Sequence, residues 1–72
     1  MQKRYSSEQT IRALKKLGFL VVSQKGSHLK MKHPDGGLAI VPQGRKVLPP
    51  GTVNGILEKA GVSKKTFEDI AS

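Results

Sequence analysis

The segment spanning residues 28–41 most narrows what this chain can become. Its first six residues alternate: Leu29 and Met31 fall in one phase, His28, Lys30 and Lys32 in the other. A period of two with one wet face predicts an antiparallel strand lying on a core. Pro34-Asp35-Gly36-Gly37 follows, where Pro sets a bend and Gly accepts positive φ, so the chain turns back. Residues 38–41, Leu-Ala-Ile-Val, predict the next strand, ended by Pro42. Upstream, Phe19-Leu20-Val21-Val22 predicts a strand reaching about Gln24, and Lys25-Gly26-Ser27 a turn. Three consecutive strands joined by tight turns make an antiparallel meander.

Helices flank it. Ser6 followed by Gln9 has the spacing of a capping box, and Ile11, Leu14 and Leu17 give an apolar stripe over residues 7–17. Gly18 supplies the left-handed stop. Pro49-Pro50-Gly51-Thr52 introduces a second helix whose apolar face is Val53, Ile56, Leu57 and Ala60, ended by Gly61 with Val62 placed for the contact after the cap. Ser63 then caps one last turn carrying Phe67 and Ile70. The fold class is α+β in the order α-β-β-β-α, with both helices on one face of the sheet. The other face, bearing His28, Lys30 and Lys32, is left open.

Seventy-two residues bury only about 60% of the surface exposed by the unfolded chain, enough for a single domain over residues 1–72. The absence of cysteine excludes a disulfide scaffold and a Cys-based zinc site, and no metal or cofactor is expected. No apolar run exceeds four residues, the length of 19–22, which predicts neither a signal peptide nor a membrane span; a cytoplasmic protein is the expectation. The formal charge of +8 is segregated. Residues 1–47 hold ten basic and two acidic residues, whereas residues 48–72 hold three of each. So large and so localised an excess points to a polyanion, nucleic acid before an anionic membrane. No helix joins a basic face to a bulky aromatic one, as a membrane-surface helix would.

His28 is the most pointed residue, on the polar face straight after a Gly-Ser turn and in phase with Lys30 and Lys32. Histidine exchanges protons near neutrality, and RNA carries its own nucleophile, the 2′-hydroxyl, so one base suffices to start cleavage. The residues alone favour an ordinary exposed strand histidine over a catalytic one. His33 falls in the opposite phase before Pro34 and reads as a turn-edge residue. Gly26, Gly36 and Gly37 form no nucleotide-binding fingerprint and read as turn glycines. Ser27 is a phosphate contact at most, since nothing beside it would activate it as a nucleophile. Lys25 adjoins the same turn. Arg45 and Lys46, after Gly44, are either a phosphate-gripping loop or a solvated connector.

Leu14-Lys15-Lys16-Leu17-Gly18-Phe19, Gln24-Lys25-Gly26-Ser27-His28 and His33-Pro34-Asp35-Gly36 together resemble the HicA family of toxins. Val41-Pro42, Pro50-Gly51-Thr52, Ile56-Leu57 and Ala60-Gly61 continue the likeness, which covers roughly residues 8–70. The resemblance implies a double-stranded-RNA-binding-domain-like fold and a ribosome-independent mRNA interferase. It also implies a type II toxin–antitoxin pair in which a HicB-type antitoxin covers the His28 face. The family's catalytic histidine falls on His28, making this a metal-independent endoribonuclease, with Lys25, Gly26, Ser27, Lys30, Lys32, Arg45 and Lys46 as the RNA-binding set. In one place the chain departs from the pattern. Many members carry a second histidine shortly after the Val-Pro, where this sequence has Gln43-Gly44-Arg45. Arg45 or Lys46 can replace it electrostatically but not as a neutral acid–base partner. Two alternatives use the same face: a non-catalytic double-stranded-RNA-binding module, and an interaction module for an acidic antitoxin.

Overall fold

The computed structural model describes residues 4–71; residues 1–3 and 72, the ends of the expected domain, lie outside that part. The elements are α1 (Ser7–Lys16), β1 (Leu20–Lys25), β2 (His28–Lys32), β3 (Leu38–Pro42), α2 (Pro50–Ala60) and α3 (Lys64–Ala71). The strands form one antiparallel sheet in the order β1-β2-β3, the expected α+β meander. The tail departs from expectation. Instead of a single turn it forms an eight-residue helix, capped where Ser63 Oγ accepts the Thr66 amide at 3.1 Å and packed against α1.

α1 begins at the expected capping box. The Gln9 amide donates to Ser6 Oγ at 3.0 Å, and the Ser6 amide donates to Gln9 Oε1 at 2.9 Å. A cap of this kind stabilises a helix by about 1 kcal/mol. The helix stops at Gly18, whose φ is 103°, and a Cβ there would stand 2.9 Å from His33 Nε2. The position therefore needs glycine for both its backbone and its crowding. The buried face of α1 is Ser7, Thr10, Ala13 and Leu14, rotated from the predicted stripe, so that Ile11 and Leu17 are only half-buried. Two polar side chains can face inward because each is bonded: Thr10 Oγ1 donates to the Ser6 carbonyl at 2.9 Å, and Ser7 Oγ accepts the Arg45 amide at 3.0 Å.

Leu29 and Met31 of β2, Ala39 and Val41 of β3, Leu14 of α1, the predicted face of α2 and Phe67 of α3 share one core. All three helices therefore lie on one face of the sheet, and the alternation in β2 has sorted its side chains as predicted. β1 is the exception: all six of its residues are exposed, including Leu20, Val21 and Val22. It is an edge strand lying outside the area the helices cover.

Candidate active site

The β1–β2 hairpin sets the geometry of the open face. Its two-residue turn is Gly26-Ser27, with Gly26 at φ 58°, and Lys25 and His28 form the closing pair. A glycine at positive φ in the first turn position suits the right-handed twist of the strands, as in a type II′ turn. Paired residues in a sheet share a face, so Lys25 stands beside His28. Further along, Ser23 pairs with Lys30 and Leu20 with Lys32; on the other side, Pro42 pairs with His28 and Ile40 with Lys30.

The β1 ladder is not regular. Val21 pairs with Met31 and Ser23 with Lys30, leaving Val22 as an extra, bulged residue. The bulge shifts the phase between the two halves of β1. It lets Val21 keep the inner phase of Met31 while Ser23 and Lys25 join the outer phase of His28.

Ser23, Lys25, His28, Lys30 and Ile40 line a shallow depression of about 460 Å³. Three of the predicted site residues, Lys25, His28 and Lys30, are thus brought together. Gly26 and Ser27 form the turn at its end, and Lys32 continues the row on the same face. Arg45 and Lys46 are exposed on the following loop and do not line the depression. That loop is nonetheless held beside it. The Gln43 amide donates to the Ser27 carbonyl at 2.6 Å, and Arg45 exchanges two hydrogen bonds with Ser7. Ser23 and Ile40 were not singled out from the sequence. Ser23 depends on the bulge, and Ile40 sits in an unbroken apolar run whose phase only the register reveals.

Among the described residues no carboxylate lines the depression, so its cations face solvent without a paired acid there. Such a surface favours an anion with several oxygens. The aromatic side chains are withdrawn from it. Tyr5, Phe19 and Phe67 are all buried, with Tyr5 and Phe67 edge to face at 4.9 Å.

A larger recess of about 590 Å³ at the opposite end contains His33, but that side chain is committed to the fold. Its Nε2 donates to the Leu17 carbonyl at 3.0 Å and its Nδ1 accepts the Asp35 amide at 3.0 Å, while the ring packs edge to face on Phe19. These partners select the neutral Nε2–H tautomer. His33 ties the end of β2 to the end of α1 and has no ring nitrogen free for a substrate. The depression around His28 is therefore the better candidate. Among the described residues no group of three His, Asp or Glu side chains is placed to hold a metal, and no helix is long and apolar enough to cross a membrane.

A family profile described as the HicA toxin of bacterial toxin-antitoxin matches residues 7–62. The matched span contains α1, the whole sheet with His28, the loop carrying Arg45 and Lys46, and α2. No curated protein sequence matches the chain.

Proposed function

Because the chain belongs to the HicA toxin family, whose members are the toxin halves of bacterial toxin–antitoxin pairs, we propose that it is an mRNA-cleaving endoribonuclease with His28 as its catalytic base. The observation that carries this reading is the company His28 keeps: Lys25 across the hairpin and Lys30 on the same strand face, around an open depression with no carboxylate among its described lining residues.

The chemistry asks little of so small a protein. His28 takes the proton of a ribose 2′-hydroxyl, and the oxygen attacks the adjacent phosphorus. The bond to the 5′-oxygen breaks, leaving a 2′,3′-cyclic phosphate. The departing oxygen takes a proton from the imidazolium or from water, so no metal ion is required. Lys25 and Lys30 hold the phosphate on which negative charge builds, with Lys32 further along the row. Gly26 and Ser27 fix the hairpin so that Lys25 and His28 stay paired. Arg45 and Lys46 contact flanking phosphates from the tethered loop. With no histidine in the stretch Gln43-Gly44-Arg45, His28 is the single base. The substrate is single-stranded or looped RNA, since only a flexible strand brings its 2′-oxygen into line with the phosphate.

As a family toxin the chain has an antitoxin partner. We assign that partner as HicB-type, covering the His28 face. Leu20 and Ile40, 63% and 41% exposed, flank the cationic row and suit a protein offering apolar and acidic side chains together.

Cleavage of single-stranded RNA by the purified protein and by its His28→Ala form tests the reading. Loss of a general base lowers the rate by about 10²–10⁴-fold. Equal cleavage by both proteins refutes the assignment, and salt-sensitive binding of duplex RNA without cleavage favours the non-catalytic alternative.

A further inference from the structure

The His28 depression does not end at Ile40. The same side chain also lines a second groove, about 210 Å³, whose other wall is Thr52, Gly55, Ile56 and Lys59 of α2. These four residues stand at i, i+3, i+4 and i+7, so they form one stripe along the helix. The groove runs between that stripe and β3, the strand at the sheet edge. Its floor is open, since nothing lies within 4 Å of where a Cβ on Gly55 would be. Among the described residues no carboxylate lines it, and the cation it holds is Lys59. Beyond Lys59 the next recess includes the Asp35 carboxylate, which marks where an anionic strand ceases to be favoured.

We infer that this β3–α2 groove is a second nucleotide subsite, carrying the RNA strand away from His28 across Ile40 to Lys59. The inference rests on the endoribonuclease reading and adds Ile40, Thr52, Gly55 and Lys59 to the substrate contacts. A scissile phosphate at His28 must continue into a neighbouring nucleotide on at least one side. The route over Ile40 offers that nucleotide an aliphatic surface for its base, a hydroxyl at Thr52 and an ammonium at Lys59 for the next phosphate. With Tyr5, Phe19 and Phe67 buried, an aliphatic contact is what the path beyond His28 supplies for a base. Sequence preference at the subsite is correspondingly weak, because an isoleucine face accepts any base.

The test is binding of a single-stranded oligoribonucleotide to the His28→Ala protein, so that the RNA survives, as a function of salt. Lys59→Ala should weaken binding and reduce the salt slope by about 0.7, the loss of one phosphate contact on a single strand. Gly55→Leu fills the groove with a better helix former, so an effect on binding cannot be ascribed to a weakened helix. It should weaken binding while thermal stability is kept or raised. In the protein with His28 intact, both variants should raise KM for the oligonucleotide more than they change kcat. Unchanged oligonucleotide affinity and salt slope in both variants overturn the subsite. So does loss of antitoxin binding with RNA affinity intact, which would give the groove to the protein partner. If the His28-intact protein cleaves no RNA while Lys59→Ala still lowers the salt slope, the catalytic reading fails and the subsite stands as an RNA contact.

Discussion

Ser7→Ala tests whether the loop that carries Arg45 and Lys46 is held by the start of α1. Ser7 is 3% exposed, and its Oγ accepts the Arg45 amide at 3.0 Å while its own amide donates to the Arg45 carbonyl at 2.9 Å. Alanine removes the first bond and leaves the second. An orphaned donor costs about 1–3 kcal/mol when it stays dry; this bond is only part-buried and Arg45 is an exposed residue, which puts the loss at the low end, about 1 kcal/mol. Alanine near the start of a helix returns a few tenths of that. For a domain of this size, about 1 kcal/mol lowers Tm by roughly 4–8 °C. The loop keeps its ties from Gln43 to Ser27 and from Leu48 to Tyr5, so it loosens around Arg45 without detaching. Hydrogen exchange at the Arg45 amide should accelerate by up to about tenfold, the factor for roughly 1.4 kcal/mol, while exchange in β2 follows only the global change. Gln9→Ala is the control: it breaks the capping box and should lower Tm with no selective effect at Arg45. An unchanged Tm together with unchanged Arg45 exchange in Ser7→Ala would refute the tether.

Tyr5 and Gly37 extend the same reasoning into the core. The Tyr5 hydroxyl is buried with no hydrogen-bond partner, beside a cavity of about 20 Å³ that has room for one water, so Tyr5→Phe should be neutral or stabilising by up to about 1–3 kcal/mol. Denaturant unfolding checks it, and a loss above about 1 kcal/mol would mean that the hydroxyl is bonded after all. Burial, and secondarily the charge of Glu68, pushes the Tyr5 phenol above its ordinary value of 10.0. The folded state then holds this proton more tightly than the unfolded one, so the stability it contributes is complete below about pH 10 and is lost as pH rises through the folded value. Tyr5 is the only tyrosine, so tyrosinate absorbance should titrate late in the folded protein and earlier on unfolding. At Gly37 a Cβ would stand 2.5 Å from the Ala60 carbonyl oxygen and 3.1 Å from Phe19 Cζ, so Gly37→Ala should cost about 1–3 kcal/mol by prising the β2–β3 turn from the end of α2. Thermal unfolding within about 0.5 kcal/mol of the parent would show that the contact yields freely.

What could be read from the sequence was what local chemistry decides. The capping box needs only Ser6 and Gln9, the Gly26-Ser27 turn only its own backbone, and the alternation from His28 to Lys32 only its neighbours. The phase of His28, Lys30 and Lys32 was therefore visible in advance, and the catalytic candidate with it. What was hidden depends on partners distant in the chain. Ser7 is buried in α1 because Arg45, 38 residues later, supplies its hydrogen bond; periodicity alone assigns the inward face to Ile11 and Leu17. The apolar run from Leu20 to Val22 predicts a strand but not its exposure, because which strand the helices cover is decided by packing. Lys25 could be placed near His28 by adjacency, but its sharing of a face with Ser23 rests on the Val22 bulge, and Ile40 on the register of β3. The proposed site is thus built unevenly. Its central strand is encoded by a period of two that tolerates no slip, since moving β2 by one residue would exchange His28 for Leu29 on the open face. Its walls, from β1, β3 and α2, are set by tertiary geometry and can vary without disturbing that alternation. Changes at Ser23, Ile40, Gly55 or Lys59 should therefore alter how RNA is held while leaving the fold and His28 in place, whereas a shift within β2 should remove both at once.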